Sequence, residues 1–226
     1  MNQSIVNTFL LAGLFLALFS IAEILYHILK IKVEYTRKIV HINTGLITLS
    51  FPILIDNHWL VLLLSCGFLL ILSLSLRFNL LKSINAIDRI SRGSLIYPIV
   101  VYGLFLVYVT YGSLLFFYLP ILILAICDPL ACLAGRKWPK GKYKVGTDTK
   151  TLVGSAAFFT SSLLVSIVLL LFFSELSLII LSSTSLIIAT ITTFAESLSQ
   201  KGYDNLFIPL TALLIIIALN DFSIVI

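Results

Sequence analysis

The segment AICDPLACLAGRKWPKGKYKVGTDTKTLVGS (Ala125 to Ser155) sets one carboxylate, Asp128, ahead of Arg136, Lys137, Lys140, Lys142 and Lys144, and then of Lys150-Thr151. A carboxylate can ligate Mg²⁺, cations neutralise phosphate oxygens, and the amides and positive dipole end of a helix opening at Thr151 favour an anion. Gly135 lets the chain leave a helix or lets another backbone approach closely, and Gly141 and Gly146 loosen the basic loop. Gly154 and Ser155 fall on the first turn of the following helix, where a backbone can come near a phosphate. These are the parts a nucleoside triphosphate and its Mg²⁺ require. They are not a Walker motif, since no G-x-x-x-x-G-K-[ST] occurs. A competing reading is topological: loops on the cytoplasmic side of membrane proteins are rich in Lys and Arg, Asp128 is then a water-facing boundary residue, and Thr151 is only an N-cap.

Two further clusters carry polar groups. In EYTRKIVHINTG, Arg37, His41 and Gly45 recur at i, i+4 and i+8 on one helical stripe, with Lys38 beside them. Arg37 and Lys38 by themselves read as snorkelling anchors, and His41 as a neutral hydrogen-bonded histidine. In AESLSQKGYDNLFIP, Glu196 ends an apolar run and Asp204-Asn205 opens the next, where either residue is also a good N-cap. Glu23 and His27, at i and i+4, read as an ion pair. Cys66, Cys127 and Cys132 have no metal-ligand or redox spacing.

The elements that hold these residues are membrane helices. The chain is 60% hydrophobic and 11% charged, with mean hydropathy +1.13, far from the roughly 25% charge of soluble domains. Apolar runs predict spans at Ile5–Leu29, Ile39–Ile55, Trp59–Leu76, Ser94–Thr110, Ser113–Ala134, Thr151–Phe173, Leu176–Ala195 and Leu206–Leu219. The expected fold is all-α: one polytopic helical domain over residues 1–226 with about eight transmembrane helices, the short last one making seven the alternative. No alternating barrel pattern competes with it. All fifteen Lys and Arg residues fall in Lys30–Lys38, Arg77–Gly93, Arg136–Lys150 and Glu196–Asn205. The positive-inside rule then puts these four segments in the cytoplasm and both termini outside. No positive charge precedes Lys30, so a signal peptide is not expected. The net charge of +5 reports topology and implies no nucleic-acid partner. The expected localisation is the cell membrane or an endomembrane. Nothing in the residues specifies an oligomeric state.

The three blocks resemble the phytol kinase and dolichol kinase family. RKIVHINTG is similar to its Arg-Lys-x-x-His-x-x-x-Gly element, and the middle block to its Asp-x-x-Ala-x-x-x-Gly, basic loop and Lys-Thr-x-Glu-Gly-Ser. AESLSQKGYDNLFIPL is similar to its Glu…Asp-Asn-Leu-x-x-Pro element. The resemblance covers about residues 34–210. It departs at Val153, where the family usually carries Glu. It implies an integral membrane kinase that moves the γ-phosphoryl of a nucleotide, typically CTP, to the hydroxyl of a membrane isoprenoid alcohol: dolichol, polyprenol, phytol or geranylgeraniol. Asp128 would bind Mg²⁺, and Asp204 and Asn205 would complete the metal or nucleotide site. Arg136, Lys150 and the turn from Thr151 through Gly154 to Ser155 would hold phosphates, with Arg37, Lys38, Gly135 and Lys144 as further contacts. His41 or Glu196 is the candidate acceptor of the hydroxyl proton.

Two alternatives share parts of this pattern. A CDP-lipid synthase related to phosphatidate cytidylyltransferases would use much the same middle block but release pyrophosphate. A small transporter would use the buried ionisable residues as a pathway, but such sites usually lie near the bilayer midplane, whereas these crowd one interface. The topology is open to a direct check. Cysteines placed at Lys142 and at His58 should label from opposite sides of the membrane, and same-side labelling would discard the eight-span arrangement.

Overall fold

The computed structural model describes residues 3–86 and 92–221. Residues 87–91 of the basic segment Arg77–Gly93, Arg89 among them, lie outside the described residues. Helix α1 (Gln3–His27) is followed by α2 (Val33–Thr48) and the single turn α3 (Phe51–Leu54). Next come α4 (His58–Arg77), the short α5 (Lys82–Asn85) and α6 (Gly93–Tyr111). Helix α7 (Leu115–Leu122) runs through a π turn (Ile123–Cys127) into α8 (Asp128–Lys137). A hairpin of β1 (Lys142–Val145) and β2 (Asp148–Thr151) leads into α9 (Leu152–Phe173), α10 (Leu178–Leu198) and α11 (Asp204–Asp221).

The chain is a polytopic helical membrane protein, as its composition requires. Among the described residues, six helical segments are long and apolar enough to cross a bilayer: Gln3–His27, His58–Arg77, Gly93–Tyr111, Leu115–Lys137, Leu152–Phe173 and Leu178–Leu198. Two of the eight expected spans differ. The second begins earlier, at Val33, and includes Glu34, Arg37 and Lys38. It also breaks at Thr48, because Pro52 offers no N–H and its ring would meet the Thr48 carbonyl in a continuous helix. The eighth, α11, is apolar but shorter than the six.

All four basic segments meet at one end. Arg136 Nη2 lies 2.9 Å from Glu34, Lys201 N donates to Asp148 Oδ2 at 2.9 Å, and Arg92 Nη1 donates to Tyr203 OH at 3.1 Å. At the other end Ser4 Oγ donates to Asp56 Oδ2 at 2.8 Å, and His58 Nδ1 lies 3.3 Å from Tyr102 OH.

Burial is inverted relative to a water-soluble bundle. Phe9, Ile53, Phe172, Leu178 and Ile179 are between 70% and 84% exposed, while Ser162, Ser166, Ser185 and Thr192 are fully buried. Large aliphatic groups suit lipid, and small hydroxylated residues let helices approach and bond to one another. The Ser162 and Thr192 hydroxyls, 3.1 Å apart, join α9 to α10 in this way. The segment Leu115–Lys137 runs through the centre, with 72% of its apolar window buried against 28–33% for the other five.

The π turn sits where that central helix meets Pro129. Without an N–H, Pro129 leaves helix carbonyls behind it unpaired. One of them, Leu124 O, lies 3.0 Å from His41 Nε2, which must be the donor because a carbonyl only accepts. Gly45, one helical turn along α2 from His41, packs against Ala125 so closely that a Cβ at position 45 would overlap the alanine methyl. Two sequence features thus lock α2 to the central helix. Gly45→Val should destabilise the protein by at least about 1–3 kcal/mol, the range for overpacking a close contact; thermal unfolding in detergent measures it, and an unchanged Tm would contradict the close approach.

Candidate active site

Two cavities open at the basic end and share Lys38, Asp128 and Asp204. The smaller, about 690 Å³ with its solvent-open space, is polar and lies between the α8 C-terminal half, the hairpin and the start of α9. The other, larger only when its solvent-open space is included (about 1080 Å³ on the same measure), runs into the bundle between α1, α2, α4 and α6.

The junction is built on Asp128. Its Oδ2 accepts from Lys38 Nζ at 2.6 Å, and the side chains of the pair are 11% and 19% exposed. His41 Nε2 stands 4.0 Å from the same oxygen while held on Leu124 O. Lys38, His41 and Gly45, rather than Arg37, His41 and Gly45, therefore form the face of α2 turned to the central helix. Arg37 lines the larger cavity instead. Asp204 is the first residue of α11 and its Oδ1 accepts from Asn205 N at 2.9 Å. Asn205 Nδ2 donates to Gly93 O at 2.8 Å, so the Asn205 side chain braces α11 against α6 and borders the larger cavity.

The polar cavity collects most of the middle block. Asp128, Gly135, Arg136, Lys150, Thr151, Gly154, Ser155 and Glu196 all line it. Lys150 lies on β2, where its Nζ is 2.6 Å from Glu196 Oε1 and also bonds the Glu196 carbonyl. The other carboxylate oxygen, Glu196 Oε2, is buried with no hydrogen-bond partner among the described residues. Arg136 is tied to Glu34. Thr151 is the N-cap of α9: its Oγ1 accepts from Gly154 N at 3.0 Å. Leu152 N is spent on Gly141 O at 3.0 Å. The α9 terminus therefore offers its dipole and neighbouring cations more than a row of free amides.

The surroundings of three expected residues are specific. Gly135 does not end a helix but allows the close backbone approach that was its other expected role: it lies inside α8, and a Cβ there would come within 2.6 Å of Thr151 Oγ1. Gly154 faces α8 as well, with Ala131 O 3.0 Å from where its Cβ would stand, so both glycines serve the close crossing of α8 and α9. Lys144 is exposed on β1 and lines neither cavity.

The supposed flexible loop is a hairpin, with Val145 opposite Asp148 around Gly146-Thr147. Gly146 has φ +56°, the positive φ that a two-residue hairpin turn needs at its first position. Tyr143 OH, 2.8 Å from Ser155 Oγ, pins the hairpin to α9. The signal was present in the alternation of Lys-Tyr-Lys-Val-Gly-Thr-Asp-Thr-Lys-Thr. Glu34, Thr149 and Tyr97, which also line the cavities, carried no comparable signal.

Among the described residues, no group of three or more His, Cys, Asp or Glu side chains gathers to hold a metal alone. Mg²⁺ does not need one, because it keeps waters and takes substrate phosphate oxygens beside one or two carboxylates. Asp128 and Asp204, facing a cation-lined cavity, fit that donor set.

Fold and site define a polytopic helical membrane protein with a polar and an apolar cavity meeting at a buried ion pair. No family model and no solved structure matches the chain. The phytol kinase of Synechocystis sp. is 32% identical to it over 194 residues, covering 86% of this chain and 83% of that protein. The chain belongs to the phytol kinase family.

Removing one member of a buried ion pair strands the other's charge, at about 3–5 kcal/mol. Lys38→Met should therefore lower stability on that scale, whereas Lys38→Met with Asp128→Asn should cost less than the two single losses added. Unfolding in detergent across this double-mutant cycle should show a coupling of about 0.5–3 kcal/mol; additive losses would deny the pair a stabilising role.

Proposed function

We propose that this protein is an integral membrane kinase that transfers the γ-phosphoryl group of a nucleoside triphosphate to the hydroxyl of an isoprenoid alcohol. The observation that carries this reading is the meeting of a cation-lined cavity with an apolar one at Lys38, Asp128 and Asp204. A phosphoryl donor and a lipid alcohol need such adjoining environments. The relative's activity as a phytol kinase supports the same assignment. CTP as the donor is supported by the resemblance of the middle block, and the positive-inside rule supports a site on the cytoplasmic face.

Lys150 and Arg136, which both line the polar cavity, would neutralise phosphate oxygens, helped by the α9 dipole. Asp128 and Asp204 would hold Mg²⁺, which when bound neutralises charge on the transferring phosphoryl group. Lys38 orients Asp128. The alcohol oxygen would enter from the apolar side, forming the new O–P bond as the bond to the β-phosphate oxygen breaks and the nucleoside diphosphate leaves. Of the two candidate proton acceptors, His41 lines the alcohol's cavity and Glu196 does not. We assign the proton to His41 Nδ1, because Nε2 already donates to Leu124 O. Phosphoryl transfer depends chiefly on positioning and charge neutralisation, which these groups supply.

Purified protein incubated with labelled CTP and prenols should yield CDP and a prenyl monophosphate; pyrophosphate release would point instead to cytidylyl transfer. Asp128→Asn should abolish turnover even in the fraction that remains folded after the loss of stability argued above, and retained activity would remove Asp128 from the site. Lys150→Ala should lose about 10²–10³ in kcat/KM, the scale of one positioned charge-stabilising donor. Lys140, exposed beyond α8, should tolerate Ala with less than about a tenfold loss. Equal losses would leave the basic segment with a topological role alone.

A further inference from the structure

Lys150 is held at both of its ends. Its backbone lies on β2 opposite Tyr143, and the Tyr143 hydroxyl against Ser155 Oγ fastens the hairpin to α9. Strand pairing leaves the four-carbon stem of a lysine free, and its rotamer entropy is large. That freedom is removed by one residue on another helix. An ammonium group has three N–H donors and no acceptor. Two of those on Lys150 go to Glu196, one to Oε1 at 2.6 Å and one to the main-chain carbonyl. The third is left for the polar cavity, which both residues line.

Glu196 is itself anchored. It follows Thr192 by one helical turn, on the face of α10 that meets α9 through the Ser162–Thr192 contact. Its carbonyl lies in the last turn of α10, where the helix no longer supplies the usual partner, and it also accepts from Ser199 N at 3.1 Å. Packing does not explain a carboxylate at this place. The Glu196 side chain is 9% exposed, and its Oε2 is buried with no hydrogen-bond partner among the described residues, which costs stability. Well-packed apolar side chains commonly replace buried ion pairs without loss. Nor is the carboxylate placed to take the alcohol's proton, because Oε1 is occupied by Lys150 and Glu196 does not line the apolar cavity. What it does supply is a fixed acceptor for one lysine.

We infer that Glu196 is a positioning residue for Lys150, holding the ammonium by two hydrogen bonds so that its third N–H meets the phosphate oxygens of the donor nucleotide. The inference rests on the prenol kinase reading above and adds to it a residue that acts through another. A lysine free to sweep the cavity must be ordered at each turnover, whereas one ordered in advance acts as a preorganised donor. The role needs an acceptor oxygen at the right reach more than it needs a charge. Glutamine, of the same length and with a carbonyl oxygen, should serve. Aspartate, one methylene shorter, should not reach.

The test measures kcat/KM for CTP with geranylgeraniol, using full-length protein in mixed micelles and referring each rate to the folded fraction. Glu196→Gln should stay within about tenfold of wild type. Glu196→Met and Glu196→Asp should each lose about 10²–10³, the loss expected of Lys150→Ala itself. Added to Lys150→Ala, Glu196→Met should cost less than about threefold more, since nothing is left to position. A proton acceptor would behave otherwise, failing as Gln and surviving as Asp, and a merely structural residue would cost as much with Lys150 absent as with it present. Either pattern overturns the inference, as does full activity in Glu196→Met. Should the Met and Asp single variants fail to fold, Glu196→Gln and the double variant decide: a loss beyond tenfold in the first, or a further loss in the second, overturns it, and neither loss sustains it. Wild-type protein that phosphorylates no prenol, or Lys150→Ala as active as wild type, removes the reading beneath the inference; activity that needs Lys150 but not Glu196 removes the inference alone.

Discussion

A carboxylate inside a membrane bundle must be paired, and Asp128 is paired with Lys38 across two different helices. That single contact sets much of the architecture. It ties the cation-bearing start of α2 to the central helix, so α2 begins at Val33 with charges that a free-standing span would keep in water. It also stands where the two cavities meet, so both are bordered by the same ion pair. In a low-dielectric surrounding such a pair carries a large desolvation penalty, offset by short, well-aligned contacts. The 2.6 Å separation is of that kind.

Proline supplies the local irregularity that makes room for the pair. Pro129, next to Asp128, cannot continue the helical hydrogen-bond ladder, and the chain answers with a π turn over Ile123–Cys127. The carbonyl thus freed at Leu124 becomes the anchor of His41. His41 is consequently held in one tautomer and one orientation beside Asp128. Gly45 completes the arrangement, since only a residue without a side chain lets α2 lie this close to Ala125. Pro52 has a comparable effect further along, where it ends α2 beside Phe51, one of the residues that line the apolar cavity.

At the polar side the hairpin is the decisive element. A flexible basic loop would present its lysines as an averaged cloud of charge. Strand pairing instead sends Lys150 inward to Glu196 and leaves Lys144 on the exposed surface. Strand geometry separates lysines that look equivalent in the chain, and the Tyr143–Ser155 contact keeps the hairpin in register with α9. The buried, unpartnered Glu196 Oε2 marks the polar cavity as a place with hydrogen-bonding capacity to spare.

Much of this was legible in the chain. Apolar runs and the confinement of all fifteen cations to four segments require a helical membrane protein with one basic end, because hydrocarbon tolerates neither unpaired backbone nor scattered charge. Asp128, His41 and Glu196 stood out because polar residues at membrane depth are rare, and Lys150, Thr151 and Asp204 because they stand where apolar helices open. Other features depended on distance in space. Whether Lys38 or Arg37 turns toward Asp128 is set by the rotation of α2, which the Gly45–Ala125 contact fixes. The glycines at 135 and 154 border the polar cavity, and only their neighbours across the α8–α9 crossing reveal that they also make room for each other's helix. The apolar cavity, finally, had no sequence signal at all: its Phe, Leu and Thr residues are the same types that face lipid elsewhere. Only the packing of α1, α2, α4 and α6 around a void distinguishes them, since hydrophobicity reports burial from water and is blind to what fills the space.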